Sequence, residues 1–351
     1  MARRKRNVRM AVIGLGNGRE HAEGYHSHGR ADLVALCDQD PGRLSRVAAE
    51  LGVERTYTDT EEMFEAEALD GVSVALPNHL HAPVTIAALK RGLHVLCEKP
   101  MAMTVKEAER MNAAARRARR NLMINFSFRF TEASYALKRQ VDAGAVGEIY
   151  FGRSVWHRRR GIPGLGGWFT DRERAGGGPL IDIGVHRLDL ALWLMGYPEP
   201  VAVTGSTYSV IAPEIARKAG ESYTVEDLAC GLVKCANGAT LILEASWALN
   251  QGEREQMETR LYGDRGGLVH RSGEDYAHEA EIYTDEGGDM LTKRLDYRTD
   301  PTPSSYHEFV DSIIERRKPL ATGEQGLKVM KILEGIYRSA ETGREVRFRR
   351  R

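Results

Sequence analysis

Val8-Arg9-Met10-Ala11-Val12-Ile13-Gly14-Leu15-Gly16-Asn17-Gly18-Arg19-Glu20-His21 is a short β-type run that breaks into glycines and resumes as a polar, helix-like stretch. The pattern predicts strand, turn and helix. Glycines let the backbone approach a pyrophosphate, whose charge is stabilised by the exposed amides and dipole of a helix N-terminus. Gly14, Gly16, Asn17, Gly18 and Arg19 are therefore candidate cofactor-binding residues. The chain departs from the usual Gly-x-Gly-x-x-Gly, because the third glycine would fall on Arg19 and a glycine sits one place earlier, at Gly18. Glycine-rich loops are also common turns, so the surroundings decide. A second apolar run, Leu33-Val34-Ala35-Leu36-Cys37, ends in Asp38, 24 residues after Gly14 and close to the ~20 expected between such a loop and a ribose-binding acid. An acid there hydrogen-bonds the ribose hydroxyls and repels a 2′-phosphate, which points to NAD rather than NADP. The alternative is an ordinary turn residue before Asp40-Pro41-Gly42.

Alternation of strand and helix continues outward. Val72-Ser73-Val74-Ala75-Leu76 reads as a buried strand broken by Pro77-Asn78, and residues 82–91 read as a helix with Gly92 at its end. The run Leu93-His94-Val95-Leu96-Cys97 follows and passes into Glu98-Lys99-Pro100. Open α/β sheets bind ligands just outside the carboxyl ends of their strands, where Lys99 would stand; the bland alternative is a lysine reaching for solvent. Thr104-Val105-Lys106-Glu107 forms a capping box that starts another helix. Strands separated by helices imply parallel pairing with right-handed crossovers, so the expected fold is α/β with a Rossmann domain over residues 7–125.

The run Leu180-Ile181-Asp182-Ile183-Gly184-Val185-His186-Arg187-Leu188-Asp189-Leu190-Ala191-Leu192-Trp193-Leu194-Met195 reads as an apolar helix. Asp182, His186 and Asp189 fall at i, i+4 and i+7, which places them on one stripe. Burying two carboxylates and an imidazole costs several kcal/mol unless they are paired or used. A self-satisfied structural triad is the alternative to chemistry, and Asp189, deepest in the run, suits that role best.

Beyond residue 125 the texture changes. Residues 148–156, 201–210, 226–235, 239–247 and 259–263 read as strands rich in β-branched or aromatic residues, with Asn237-Gly238 as a tight-hairpin signal. A second domain over residues 126–351 is expected, with a large, mostly antiparallel sheet and late helices over 305–316 and 324–342. The stretch Trp156-His157-Arg158-Arg159-Arg160-Gly161-Ile162-Pro163-Gly164-Leu165-Gly166-Gly167-Trp168-Phe169 combines rings suited to the apolar faces of sugars with arginine forks suited to hydroxyl clusters, carboxylates or phosphates. A solvated, charged turn is its plain alternative.

Taken in order along the chain, these motifs resemble the Gfo/Idh/MocA oxidoreductase family (the glucose-fructose oxidoreductase and inositol dehydrogenase family). The resemblance rests on Gly14-x-Gly16 with His21 downstream, Pro77-Asn78 with His81, Glu98-Lys99-Pro100, Phe128-Arg129-Phe130, Gly147-Glu148-Ile149, Asp182-Ile183-Gly184-Val185-His186 and Gly323-Glu324-Gln325-Gly326, and so spans nearly the whole chain. It implies a catalytic set of Lys99, Asp182 and His186, with Pro77, Asn78, His81, Glu98 and Lys99 joining the cofactor-binding residues. It also places the late helices over 305–316 and 324–342 near the domain junction, and Arg129 and the catalytic set are expected to contact substrate along with Trp156, Arg158 and Trp168 of the ring-and-arginine stretch. Alcohol oxidation removes a hydroxyl proton as hydride leaves carbon: a histidine is a suitable base, a lysine stabilises the developing alkoxide, and Asp182 would orient the substrate or favour the productive charge states. Dimers and tetramers are usual in the family, so a homodimer or homotetramer is expected.

Fifty basic and 49 acidic side chains leave a formal net charge of +1, without the electrostatic footprint of a nucleic-acid binder. The terminal clusters Arg3-Arg4-Lys5-Arg6 and Arg349-Arg350-Arg351 read as solvated tails. No apolar run approaches the ~20 residues that span a bilayer. Cys37, Cys97, Cys230 and Cys235 lack metal-site spacing and read as reduced thiols of a cytoplasmic protein, while His79 and His81 read as loop hydrogen-bonders, so no metal is expected. The expected activity is NAD-dependent oxidation, or the reverse reduction, of a secondary hydroxyl on a sugar, sugar derivative or cyclic polyol. Two rivals remain at this point: a glycosidase that retains NAD and oxidises the sugar transiently, and a noncatalytic NAD-linked sensor on the same fold.

Overall fold

The computed structural model describes residues 6–272, 277–296 and 302–348. Of the terminal basic clusters only Arg6 falls inside these limits; Arg3, Arg4, Lys5 and Arg349, Arg350, Arg351 lie outside the described residues. The chain forms two compact units, one running to Asn125 and taking in Pro303–Leu327, the other holding Phe126–Thr302 and the residues from Lys328 onward.

The first unit alternates β1 (Val8–Ile13), α1 (Gly18–Ser27), β2 (Ala31–Cys37), α2 (Pro41–Leu51), β3 (Arg55–Tyr57), α3 (Thr60–Ala66), β4 (Gly71–Val74), α4 (Asn78–Lys90), β5 (His94–Glu98), α5 (Val105–Ala118) and β6 (Leu122–Asn125). Its sheet has the order β3-β2-β1-β4-β5-β6 and every pair is parallel. Strand residues such as Met10, Val12, Val72, Val74, Val95 and Leu96 are wholly buried, as expected of a parallel sheet covered on both faces. The strand order reverses between β1 and β4, and such a reversal opens a crevice at the carboxyl ends of the strands. The Thr104 capping box is formed, with the hydroxyl and the Glu107 carboxylate exchanging bonds with the opposite backbone amides.

The second unit carries α6 (Glu132–Asp142), β7 (Ile149–Arg158), α7 (Arg172–Ala175), a π-helical turn over Leu180–Gly184, α8 (Val185–Leu194), β8 (Pro200–Tyr208), α9 (Ala212–Ala219), β9 (Leu228–Cys235), β10 (Thr240–Ser246), β11 (Glu255–Gly263), β12 (Gly266–Ser272), β13 (His278–Glu286) and β14 (Asp289–Arg294). The chain ends on α10 (Ser305–Ile314), α11 (Gly323–Thr342) and β15 (Val346–Arg347). The nine strands order as β14-β13-β12-β11-β7-β10-β9-β8-β15, antiparallel apart from the β7–β10 pair. Period-two burial runs through them: Ala229, Val233, Leu241, Leu243 and Leu261 are buried, whereas Leu232, Ile242 and Arg260 are partly exposed on the other face.

Two expectations need correction. The late part of the 126–351 domain does not all belong there, because Pro303–Leu327 is part of the first unit. The cause is local chemistry on that unit: the Tyr306 ring lies 4.6 Å from the His21 ring, Asn121 Nδ2 donates to Ser312 Oγ and the Arg317 carbonyl at 3.0 Å each, and Ile124 N donates to Ala321 O at 2.9 Å. The predicted single α-helix over 180–195 begins instead as the π-helical turn. Asp182 therefore lies on the π-helical turn, while His186 and Asp189 lie on α8.

Candidate functional site

The glycine loop is built for close approach. Gly14 has φ +85°, and a Cβ there would sit 2.3 Å from the Ala75 carbonyl oxygen, so only glycine fits. A Cβ at Gly16 would meet nothing within 4 Å, which leaves open space over the loop. At Gly18, the first residue of α1, a Cβ would touch Val12 Cγ1 at 3.0 Å, so this glycine takes the helix-packing place that the usual spacing gives to residue 19. Asn17 makes no side-chain cap, leaving the first-turn amides of α1 without a side-chain acceptor, and this fits a pyrophosphate. Arg19 instead pairs with Glu23 at 2.9 Å and Glu50 at 3.1 Å. Asp38, at the end of β2, is buried and accepts from Leu15 N at 2.6 Å and Asp40 N at 2.8 Å.

Lys99 follows β5 directly and is partly exposed, and its amide donates to the Glu98 carboxylate at 3.1 Å. Glu98 also accepts from Asn125 Nδ2 at 2.5 Å and meets His21 Nε2 at 2.9 Å. Burial pushes this carboxyl up, but the hydrogen bond and charge of His21, with the Lys99 charge, outweigh it and hold the group down to about 2. The other ring nitrogen of His21 lies 2.9 Å from Ser73 Oγ, which Tyr25 Oη approaches to 2.5 Å. The ring of His81 is enclosed between the carbonyls of Leu76 and Pro100, and burial lowers its basicity. Glu98 and His81, two of the residues expected to bind the cofactor, thus hold the protein's own groups. Pro77 and Asn78 open α4 beside them. The buried partners His21, Ser73 and Asn125, and the partly exposed Tyr306, have no role assigned from the sequence; His21 carries a signal, as part of the glycine motif.

In the second unit, the Glu226 carboxylate, enclosed in the protein, accepts from Gly178 N at 2.9 Å, Leu180 N at 3.2 Å and Tyr337 Oη at 2.8 Å. It therefore caps the π-helical turn that carries Asp182. Asp182 accepts from Trp247 Nε1 at 3.2 Å. Every residue from Leu180 to Leu194 is buried except His186, which is partly exposed. The His186 ring centroid lies 5.0 Å from Phe128 and 5.8 Å from Trp156, two rings that themselves meet edge to face at 5.4 Å. Trp156 is fixed from one side by Glu255, which accepts from its Nε1 at 2.6 Å and from Arg158 Nε at 2.7 Å. Trp168 stacks on Phe169 at 3.8 Å, and Phe169 with Ile162 packs on the cluster around Trp156, Ile183 and Trp247.

Arg129 does not serve as an accessible substrate contact. Its guanidinium is 1% exposed, gripping both oxygens of the fully buried Asp189 at 2.8 and 2.6 Å, with Tyr197 Oη at 2.5 Å. Asp189 is thus the structurally paired member of the Asp182, His186 and Asp189 set. Glu226, Glu255, Phe128 and Trp247 complete the surroundings of Asp182 and His186, and none carried a local signal beyond the Phe128-Arg129-Phe130 motif.

Comparison with known proteins settles the family. Residues 8–126 match the model for an oxidoreductase family with an NAD-binding Rossmann fold, and residues 135–269 match the GFO/IDH/MocA C-terminal domain. The chain belongs to the Gfo/Idh/MocA family. It is 35% identical over 350 residues to a D-glucoside 3-dehydrogenase of Escherichia coli, with 97% of each chain covered. It is 28% identical over 346 residues to a myo-inositol 2-dehydrogenase of Thermotoga maritima, covering 97% of this chain and 98% of that one. A crystal structure of aldose-aldose oxidoreductase from Caulobacter crescentus, complexed with glycerol, superposes with a TM-score of 0.83 at 28% identity over 98% of this chain and 100% of that one. The protein is an NAD-linked oxidoreductase acting on CH–OH groups. Among the described residues no helix is long and apolar enough to cross a membrane, and no group of three or more His, Cys, Asp or Glu is placed to hold a metal ion.

Proposed function

We propose that this family member oxidises a secondary hydroxyl of a sugar, sugar derivative or cyclic polyol, or reduces the corresponding ketone in the reverse direction. The observation that carries the proposal is His186, the one residue of an otherwise buried segment that reaches solvent, set against the Phe128 and Trp156 rings. Aromatic faces suit the apolar faces of sugar rings, and the glucoside and inositol dehydrogenases among the relatives support this substrate class. His186 takes the hydroxyl proton, the Lys99 ammonium stabilises the developing alkoxide, and Asp182, steadied by Trp247, orients the hydroxyl. Trp156, Arg158 and Trp168 shape the substrate side. NAD supplies the hydride acceptor when bound. The Asp38 carboxylate makes NAD the preferred dinucleotide over NADP, and the enzyme works in the cytoplasm as a homodimer or homotetramer.

The test is a screen of monosaccharides, anhydrosugars, inositols and glycosides with NAD, following absorbance of the reduced cofactor. Stoichiometric NADH with one of them supports the proposal, whereas glycoside cleavage without NADH, or NAD binding without turnover, overturns it. With the substrate in hand, His186→Ala is expected to lose about 100- to 10,000-fold in rate, the typical cost of a positioned base, and Lys99→Ala and Asp182→Asn are expected to lose turnover with NADH affinity kept within about threefold for Asp182→Asn. Near-normal turnover in both His186→Ala and Lys99→Ala removes the mechanism.

A further inference from the structure

Asp38 is not a bare carboxylate. Besides its two backbone donors, it has the Arg43 guanidinium against it, with Nη1 at 3.1 Å from one oxygen and 3.4 Å from the other. The second arm of Arg43, Nη2, lies 3.4 Å from the Asp40 carboxylate, which itself caps α2 by accepting from Gly42 N and Arg43 N. Arg43 therefore sits in the first turn of α2 between two acids, with a side chain 39% exposed. Asp59 and Glu62 add negative charge near the end of β2, and the charge of Arg46, exposed one turn on, acts on Asp40. Among these groups Arg43 is the cation in contact with Asp38.

An acid that binds ribose hydroxyls repels a 2′-phosphate. A guanidinium in contact with that acid has the opposite effect, because its planar fork matches phosphate oxygens two at a time. We infer that Arg43 sets the enzyme's tolerance for 2′-phosphorylated dinucleotides: it exchanges its ion pair with Asp38 for the phosphate, and so limits the discrimination that Asp38 alone would impose. This rests on the reading of Asp38 as the ribose-binding acid.

The experiment titrates NADH and NADPH into the intact protein by fluorescence, so no sugar substrate is needed, using wild type, Arg43→Gln, Asp38→Ser and the double variant. Arg43→Gln is expected to weaken NADPH about tenfold, the size of one charge-assisted hydrogen bond, with NADH changed less than about threefold. Asp38→Ser is expected to tighten NADPH at least about tenfold, and the double variant to lose most of that gain. An equal NADPH gain with and without Arg43 overturns the inference about Arg43 while leaving Asp38 in its role. An unchanged NADPH-to-NADH ratio in Asp38→Ser overturns the Asp38 reading and this inference with it. Where wild type binds NADPH too weakly to measure, the two Asp38→Ser proteins decide.

Discussion

One ring nitrogen of His81 lies 2.7 Å from the carbonyl oxygen of Pro100, and the other lies 2.7 Å from that of Leu76. A single side chain thus ties the loop after Lys99 to the loop before α4. Carbonyls only accept, so each short contact favours a proton on the ring, against the burial that disfavours the charge.

Replacing His81 by alanine leaves the carbonyl of buried Pro100 and that of half-buried Leu76 without that partner, at a cost of about 1–3 kcal/mol for a buried one where water does not replace it. His81→Ala is expected to lower the thermal midpoint and to weaken NADH binding through the loosened loops. An unchanged midpoint and an unchanged NADH titration would show that the clamp holds nothing.

Asp189→Asn addresses the buried pair with Arg129. Removing one charge leaves an uncompensated guanidinium in the core, and the loss should approach about 3 kcal/mol, the low end for breaking a buried ion pair. Urea midpoints read the loss, and NADH affinity should stay within about twofold. A fall in NADH binding with stability unchanged would reverse the assignment.

His94 makes stability depend on pH. Its Nδ1 accepts from Asn121 N at 3.0 Å, and burial, followed by the charge of Arg120, pushes its pKa down to about 4 against the pull of Asp70, below the ~6.5 of an exposed histidine. With the folded value depressed, the unfolded chain takes up the proton first as pH falls. The contribution is therefore whole above pH ~6.5 and is lost between there and about 4. Calorimetric midpoints across this window should decline less steeply for His94→Asn than for wild type, and parallel curves would assign the decline elsewhere.

Self-association is the outcome expected of the outer face of the nine-stranded sheet, where Ile242 pairs in register with Leu232 and both are partly exposed, while Tyr262, 40% exposed, stacks on Phe151 at 5.8 Å. Apolar groups gathered on one open face mark an association surface. Light scattering should report a dimer or tetramer, and Ile242→Asp should shift it toward monomer. A monomeric wild type at high and low concentration defeats this.

The parallel sheet was legible because each of its signals is local: continuous apolar runs, glycines at a turn, a capping box four residues long, an acid or a lysine at a strand end. Lys99, Asp38 and His186 could be singled out for the same reason. What escaped depends on distant partners. Arg129 carries no mark of the Asp189 that encloses it, and Glu226 and Glu255 look like ordinary strand-edge acids until the fold brings Gly178 and Trp156 to them. Strands β12 to β14 are hard to read because charges such as Glu279, Glu281 and Lys293 dilute their apolar alternation, although Gly287-Gly288, with φ of +65° and +95°, is a hairpin signal that stands in the sequence. The π-helical turn has no composition that separates it from the α-helix it precedes.

The return of Pro303–Leu327 to the first unit has a consequence for biosynthesis. A nascent chain emerges from its amino end, and after Asn125 the ribosome must supply some 200 further residues before the stretch that contributes Tyr306, Ser312 and Ala321 to this unit is complete. At 5–20 residues per second that is a wait of roughly 10–40 s. During that interval the emerging dinucleotide unit lacks its last stretch, with His21 short of the Tyr306 ring and β6 short of its Ala321 partner, while Phe126–Thr302, the larger part of the second unit, is already made and waits in turn for the residues from Lys328 onward.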